Sequence, residues 1–199
     1  DIIDERCYLD RKSEFNYFDT SISPLTEVTE FSYNDQNLSP NYVKFTNSKG
    51  QIVEKDIKYA TDFISPVEID MRNKQMINIP LQTVTSVKDN HNQKEISRTL
   101  LKYFKDSIRT KDLILPEKVQ YSNSGVANLQ TTIDFNQYDI HGNILEQQKA
   151  NGVKEIYLWG YQSQYPVVKI IGSNLQAVLS IATLDTAALN NGTSAQKQA

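Results

Sequence analysis

The chain has 199 residues, a net charge of −3 and 39% apolar content, enough to bury a core and to argue against disorder throughout. Charges of both signs are interspersed with no basic stripe to neutralise phosphates, so nucleic acid is not an expected partner. A single cysteine, Cys7, cannot form an internal disulfide, and no apolar run reaches the roughly 20 residues needed to span a bilayer.

The first residues, Asp1 to Arg6, contain neither an initiating Met nor a signal-peptide pattern. The chain therefore reads as a processed or excised piece of something longer, with residues 1–23 as an N-terminal segment. Abundant Tyr, Phe, Thr, Val and Ile predict strands from there on. Self-comparison then finds repeats. Pro24-Leu25-Thr26-Glu27-Val28-Thr29 recurs as Pro80-Leu81-Gln82-Thr83-Val84-Thr85 and more faintly as Pro116-Glu117-Lys118-Val119, each expected to open a strand. Val43-Lys44, Ile52, Lys58-Tyr59 and Asp62 match Val87-Lys88, Ile96, Lys102-Tyr103 and Asp106 at one constant offset.

The turns follow the same logic. Lys49-Gly50-Gln51-Ile52-Val53-Glu54 resembles His141-Gly142-Asn143-Ile144-Leu145-Glu146, and both place Gly where a hairpin needs positive φ. Asp89-Asn90-His91-Asn92 supplies a glycine-free turn from residues that tolerate left-handed backbone. Each unit is expected to end in an aromatic, Tyr59, Tyr103 or Tyr157, contributed to a common layer.

Ile96, Leu100, Tyr103, Phe104 and Ile108 also fit helical spacing, but their alignment with residues 52–62 favours strand. Only the end reads as helix: Ser173 as cap, Gln176 at capping-box spacing, Leu175, Val178, Leu179 and Ala182 on one face, and Gly192 as the stop. The tail from Thr193 to Ala199 is expected to fray. The predicted architecture is mostly β, an antiparallel meander of long hairpins in a twisted sheet with one C-terminal helix. The hairpin region covers residues 24–172, in units of about 24–79, 80–115 and 116–172, followed by helix and tail at 173–199.

Tyr138-Asp139-Ile140-His141-Gly142-Asn143 carries the Tyr-Asp-x-x-Gly-Asn signature of YD repeats. It is followed by Tyr157-Leu158-Trp159-Gly160-Tyr161 and Tyr165-Pro166-Val167-Val168-Lys169-Ile170. Together these segments resemble the YD-repeat, RHS-like surface and secreted proteins of Bacteroidetes. Tyr59 to Asp62, Met76 to Leu81 and Ile96 to Thr99 extend the resemblance, towards the region that precedes the main repeat core. The resemblance implies an antiparallel hairpin array, a secreted or cell-surface location, and a structural signature at Tyr138, Asp139, Gly142 and Asn143. In some relatives such arrays wind into a shell around a toxin or effector, but one clean signature in a chain this short supplies at most a strip of sheet.

No catalytic constellation emerges. His91 and His141 lie in turns without partners at metal spacing, so no metal or cofactor is expected. Asp62, Asp106, Asp134 and Asp139 read as turn acceptors rather than paired catalytic carboxylates. Cys7 lacks a recognisable His partner, and the glycines never group as a phosphate loop. The chain is therefore expected to be a non-enzyme, partnered by the rest of its parent protein or by another protein. Tyr157, Trp159, Tyr161 and Tyr165 are the strongest ligand candidates. Alternation places Tyr157, Trp159 and Tyr161 on one strand face, where a packing stripe is the favoured reading and a carbohydrate platform the alternative.

Overall fold

The computed structural model describes residues 9–16, 25–88, 92–108, 110–123 and 128–181. Eleven antiparallel strands form one meander in chain order, as the composition and repeats predict. They are β1 (Arg11–Asn16), β2 (Leu25–Tyr33), β3 (Pro40–Thr46), β4 (Ile52–Lys58), β5 (Gln82–Lys88), β6 (Gln93–Lys105), β7 (Ile114–Asn123), β8 (Gln130–Tyr138), β9 (Ile144–Lys149), β10 (Lys154–Gly160) and β11 (Tyr165–Ile171). Two helices, α1 (Pro66–Asn73) and α2 (Leu175–Leu179), interrupt and follow it.

Residues 96–105 lie within β6, so the helical spacing of their apolar side chains is overridden by strand pairing with β5 from Gln82↔Leu100 to Lys88↔Gln93. The internal offset found in the sequence superposes β3 and β4 on β5 and β6. Val43 and Val87 lie in the first strand of each hairpin, Ile52 and Ile96 in the return strand.

The chain divides into two compact units, Asp1–Leu100 with Tyr121–Leu129, and Leu101–Gln120 with Gln130–Ala199. In the first, Val53, Tyr59, Ala60, Met71 and Leu81 are buried, while β1 is exposed along its whole length. In the second, Ile156 and Leu158 of β10 form an aliphatic cluster with Leu175 and Val178 of α2, flanked by Leu145, Val168 and Ile170.

Several expectations are corrected. Helix α1 was not anticipated. It inserts between β4 and β5, where Ser65 precedes Pro66 at the first helical position and the Ser65 hydroxyl meets the Glu68 carboxylate. That Ser-Pro-x-Glu pattern is a helix-start signal that the repeat alignment obscured. Pro80 does precede β5, but Pro116 lies inside β7, and Pro24 is outside the described residues. The cap of α2 is Asn174, whose side chain accepts from Ala177 N at 2.9 Å, instead of Ser173. Leu179 is exposed, so the packed face is Leu175 and Val178 alone. Asp89, Asn90 and His91, with Cys7, Ala182, Gly192 and the tail, fall outside the described residues.

The expected layer of terminal aromatics is also revised, because Tyr157 sits in mid-strand. A different tyrosine latch recurs at or just after the ends of even-numbered strands. Tyr33 donates its hydroxyl to Leu9 O at 2.9 Å, Tyr59 to Pro40 O at 2.7 Å and Tyr138 to Pro116 O at 2.8 Å. Each bond ties the end of a return strand to a carbonyl at or near the start of the strand it pairs with, so the aromatic body packs while its polar tip is satisfied.

Candidate functional site

The signature residues build one turn. Tyr138 closes β8, its ring 5.9 Å from Phe104 and 6.4 Å from Phe135. Burial, then the neighbouring Tyr103, pushes its hydroxyl well above the ordinary tyrosine range, so it is a proton donor at all physiological pH.

Asp139 then organises the reversal. Its Oδ1 accepts from His141 N at 2.8 Å and Asn143 N at 2.9 Å, and its Oδ2 from Asn143 Nδ2 at 3.0 Å. Backbone bonds from Asp139 N to Asn143 O and from Gly142 N to Asp139 O close the loop. Gly142 takes φ +86°, and a Cβ there would stand 3.2 Å from Leu115 Cδ2 and 3.3 Å from Leu113 Cδ1. Asn143 Nδ2 reaches on to Ser163 O at 2.8 Å, joining this turn to the next.

The next turn, between β10 and β11, is unusual. Tyr161, Gln162 and Ser163 are consecutive non-glycine residues at φ +52°, +58° and +62°, a left-handed stretch that costs about 1 kcal/mol or more per residue. The Asn143 bond and Gln164 N to Gly160 O hold it. Tyr161 has therefore left the strand, and the expected alternation of Tyr157, Trp159 and Tyr161 fails at this residue. Tyr161 and Tyr165 instead form an edge-to-face pair with centroids 6.0 Å apart, 50% and 61% exposed.

Tyr157 and Trp159 share the face of β10 opposite the buried Ile156 and Leu158. Both are half-buried and both polar tips are occupied. Trp159 Nε1 donates to Ile144 O at 2.9 Å, and Tyr157 Oη donates to Glu155 Oε2 at 2.9 Å and accepts from Gln147 Nε2 at 3.1 Å. Lys169 Nζ lies 5.5 Å from the Tyr157 ring centre and 3.1 Å from Glu155 Oε1. Hydrogen bonds from Gln147, then Tyr157 and Lys169, pull the Glu155 carboxyl down to about 2, so this network keeps its charges through ordinary acid conditions. The aromatic strip thus splits into a pinned half, Tyr157 and Trp159, and an accessible half, Tyr161 and Tyr165.

Sequence reasoning missed Glu146. Only 2% exposed, it receives Lys154 Nζ at 2.7 Å on Oε1 and Leu175 N at 2.8 Å on Oε2. Its position beside the signature turn was visible, but its partner at the start of α2 depends on tertiary docking. Among the described residues no group of His, Cys, Asp and Glu could hold a metal ion, and no helix is long and apolar enough to cross a membrane. A cleft of about 80 Å³ is lined by Phe104, Thr110, Asn136, Gln137 and Tyr138. Compared with family models, curated proteins and solved structures, the chain has no match.

Proposed function

We propose that this chain is a non-catalytic structural and interaction module of a larger exported, RHS-like protein, secreted or displayed at the cell surface. Strand β11 is the observation that carries this reading. Among the described residues it pairs only with β10, and Tyr165, Val167 and Ile171 on it are 61%, 39% and 61% exposed. An edge that combines unpaired backbone with outward apolar side chains is a template for a further strand. The partner strand would come from the parent protein or from another protein and, in the isolated chain, from a second copy of the same edge. Light scattering on the purified chain tests this: mass should rise with concentration, and Val167→Lys should return it to monomer. A chain that stays monomeric at every concentration contradicts the reading, as does measurable hydrolytic turnover.

The exposure of Tyr161 and Tyr165 supports a second reading, a carbohydrate-binding module. Two accessible rings held by a braced turn can stack on sugar faces. Glycan-array binding lost on Tyr165→Ala and kept in Trp159→Phe would favour it; a blank array rejects it.

A further inference from the structure

We infer that α2 is a releasable strap over the inner face of β9, β10 and β11, clasped by the buried carboxylate of Glu146. The helix has five residues and buries only Leu175 and Val178, against Ile156 and Leu158 with Leu145, Val168 and Ile170 at the margin. A helix this short does not persist in water by itself. Its helicity therefore depends on docking, and release and unwinding are one event.

The polar attachment is concentrated at one point. Leu175 N, at the first helical position, donates to Glu146 Oε2 at 2.8 Å, so the carboxylate answers one of the amides that a helix start leaves without an internal partner. The other oxygen of Glu146 is held by Lys154 Nζ at 2.7 Å, which fixes the carboxylate under the helix. Lys154 is 39% exposed, so its charge stays solvated when the strap is away.

The hinge lies just before the helix. Gly172 donates its amide to Lys154 O at 2.9 Å, which finishes the pairing of β10 with the segment after β11. Beyond it, Gly172 stands at φ +84° with no atom within 4 Å of where a Cβ would be. The strands can therefore stay paired while the residues after Gly172 swing away. The inner face then has two states, covered by Leu175 and Val178 or bare.

Native-state hydrogen exchange on the full chain tests the strap. Val178 N and Ser180 N, bonded to Asn174 O and Gln176 O, should exchange about tenfold or more faster than the amides of β10, through a local opening. Glu146→Gln should accelerate those α2 amides by about a further tenfold, leave β9 and β10 protection unchanged, and raise the fluorescence of an apolar dye. Ala177→Gly, at an exposed helical position, is the milder variant should Glu146→Gln fail to fold, with about a fivefold acceleration confined to α2. Exchange of α2 and β10 at one common rate in the unaltered chain would overturn the inference. So would Ala177→Gly with no effect on α2.

Discussion

The same five-residue turn is built twice, once in each compact unit, and serves two different purposes. Between β3 and β4, Asn47 Oδ1 accepts from Lys49 N and Gln51 N at 3.0 Å, and Gly50 takes φ +74°. Between β8 and β9, Asp139, His141, Asn143 and Gly142 repeat each of these roles. The surroundings differ. A Cβ on Gly50 would meet nothing within 4 Å, and among the described residues the Asn47 side chain bonds only inside its own turn, donating to Gln51 Oε1 at 3.1 Å. Gly142 is pressed against Leu113 and Leu115, and Asn143 reaches the following turn at Ser163. One copy of the device merely reverses the chain; the other also locks three neighbouring segments together.

Substitution of the two glycines should give the largest contrast. Gly50→Ala carries the left-handed penalty alone, about 1 kcal/mol. Gly142→Ala adds the displacement of two leucine methyl groups, for about 2 to 3 kcal/mol in all. Urea unfolding of both variants measures the difference, and equal losses would mean that Leu113 and Leu115 give way freely.

A smaller contrast is expected at the side chains that reach across. Asn143→Ala should cost about 1 kcal/mol through the lost Ser163 contact and loosen the left-handed Tyr161 to Ser163 turn. Asp139→Asn keeps the two amide bonds accepted by Oδ1 but turns an NH2 group towards Asn143 Nδ2, which donates to Oδ2. It too should cost about 1 kcal/mol, and an unchanged stability would show that this side-chain bond contributes nothing. Gln51→Ala, whose side chain among the described residues bonds only to Asn47, should cost a few tenths as much.

What the sequence made legible follows from this contrast. The turn and its glycines were readable because their chemistry is local: an Asx acceptor followed by a residue tolerant of positive φ. The strand character of residues 96–105 was readable because the repeat supplied a second copy to compare. The use of each element was not. Nothing near Gly142 in the chain announces Leu113 and Leu115, and Glu146 gains its role only when the first amide of α2 docks on it. Helix α1 was missed although its Ser65-Pro66 start was present, because a repeat-based reading carries strand through positions where one copy has an insertion. Tyr157 and Trp159 share a strand face as alternation predicts, but Tyr161 does not join them, since a left-handed turn breaks the alternation there.

Among the described residues no strand pairs with the far edge of β11, and amide hydrogen exchange followed against chain concentration addresses that edge most directly. The β11 amides should gain protection as concentration rises while those of β10 stay constant, and Val167→Lys should abolish the gain. Exchange at β11 that does not change with concentration, in a chain that remains monomeric, would contradict the proposed function.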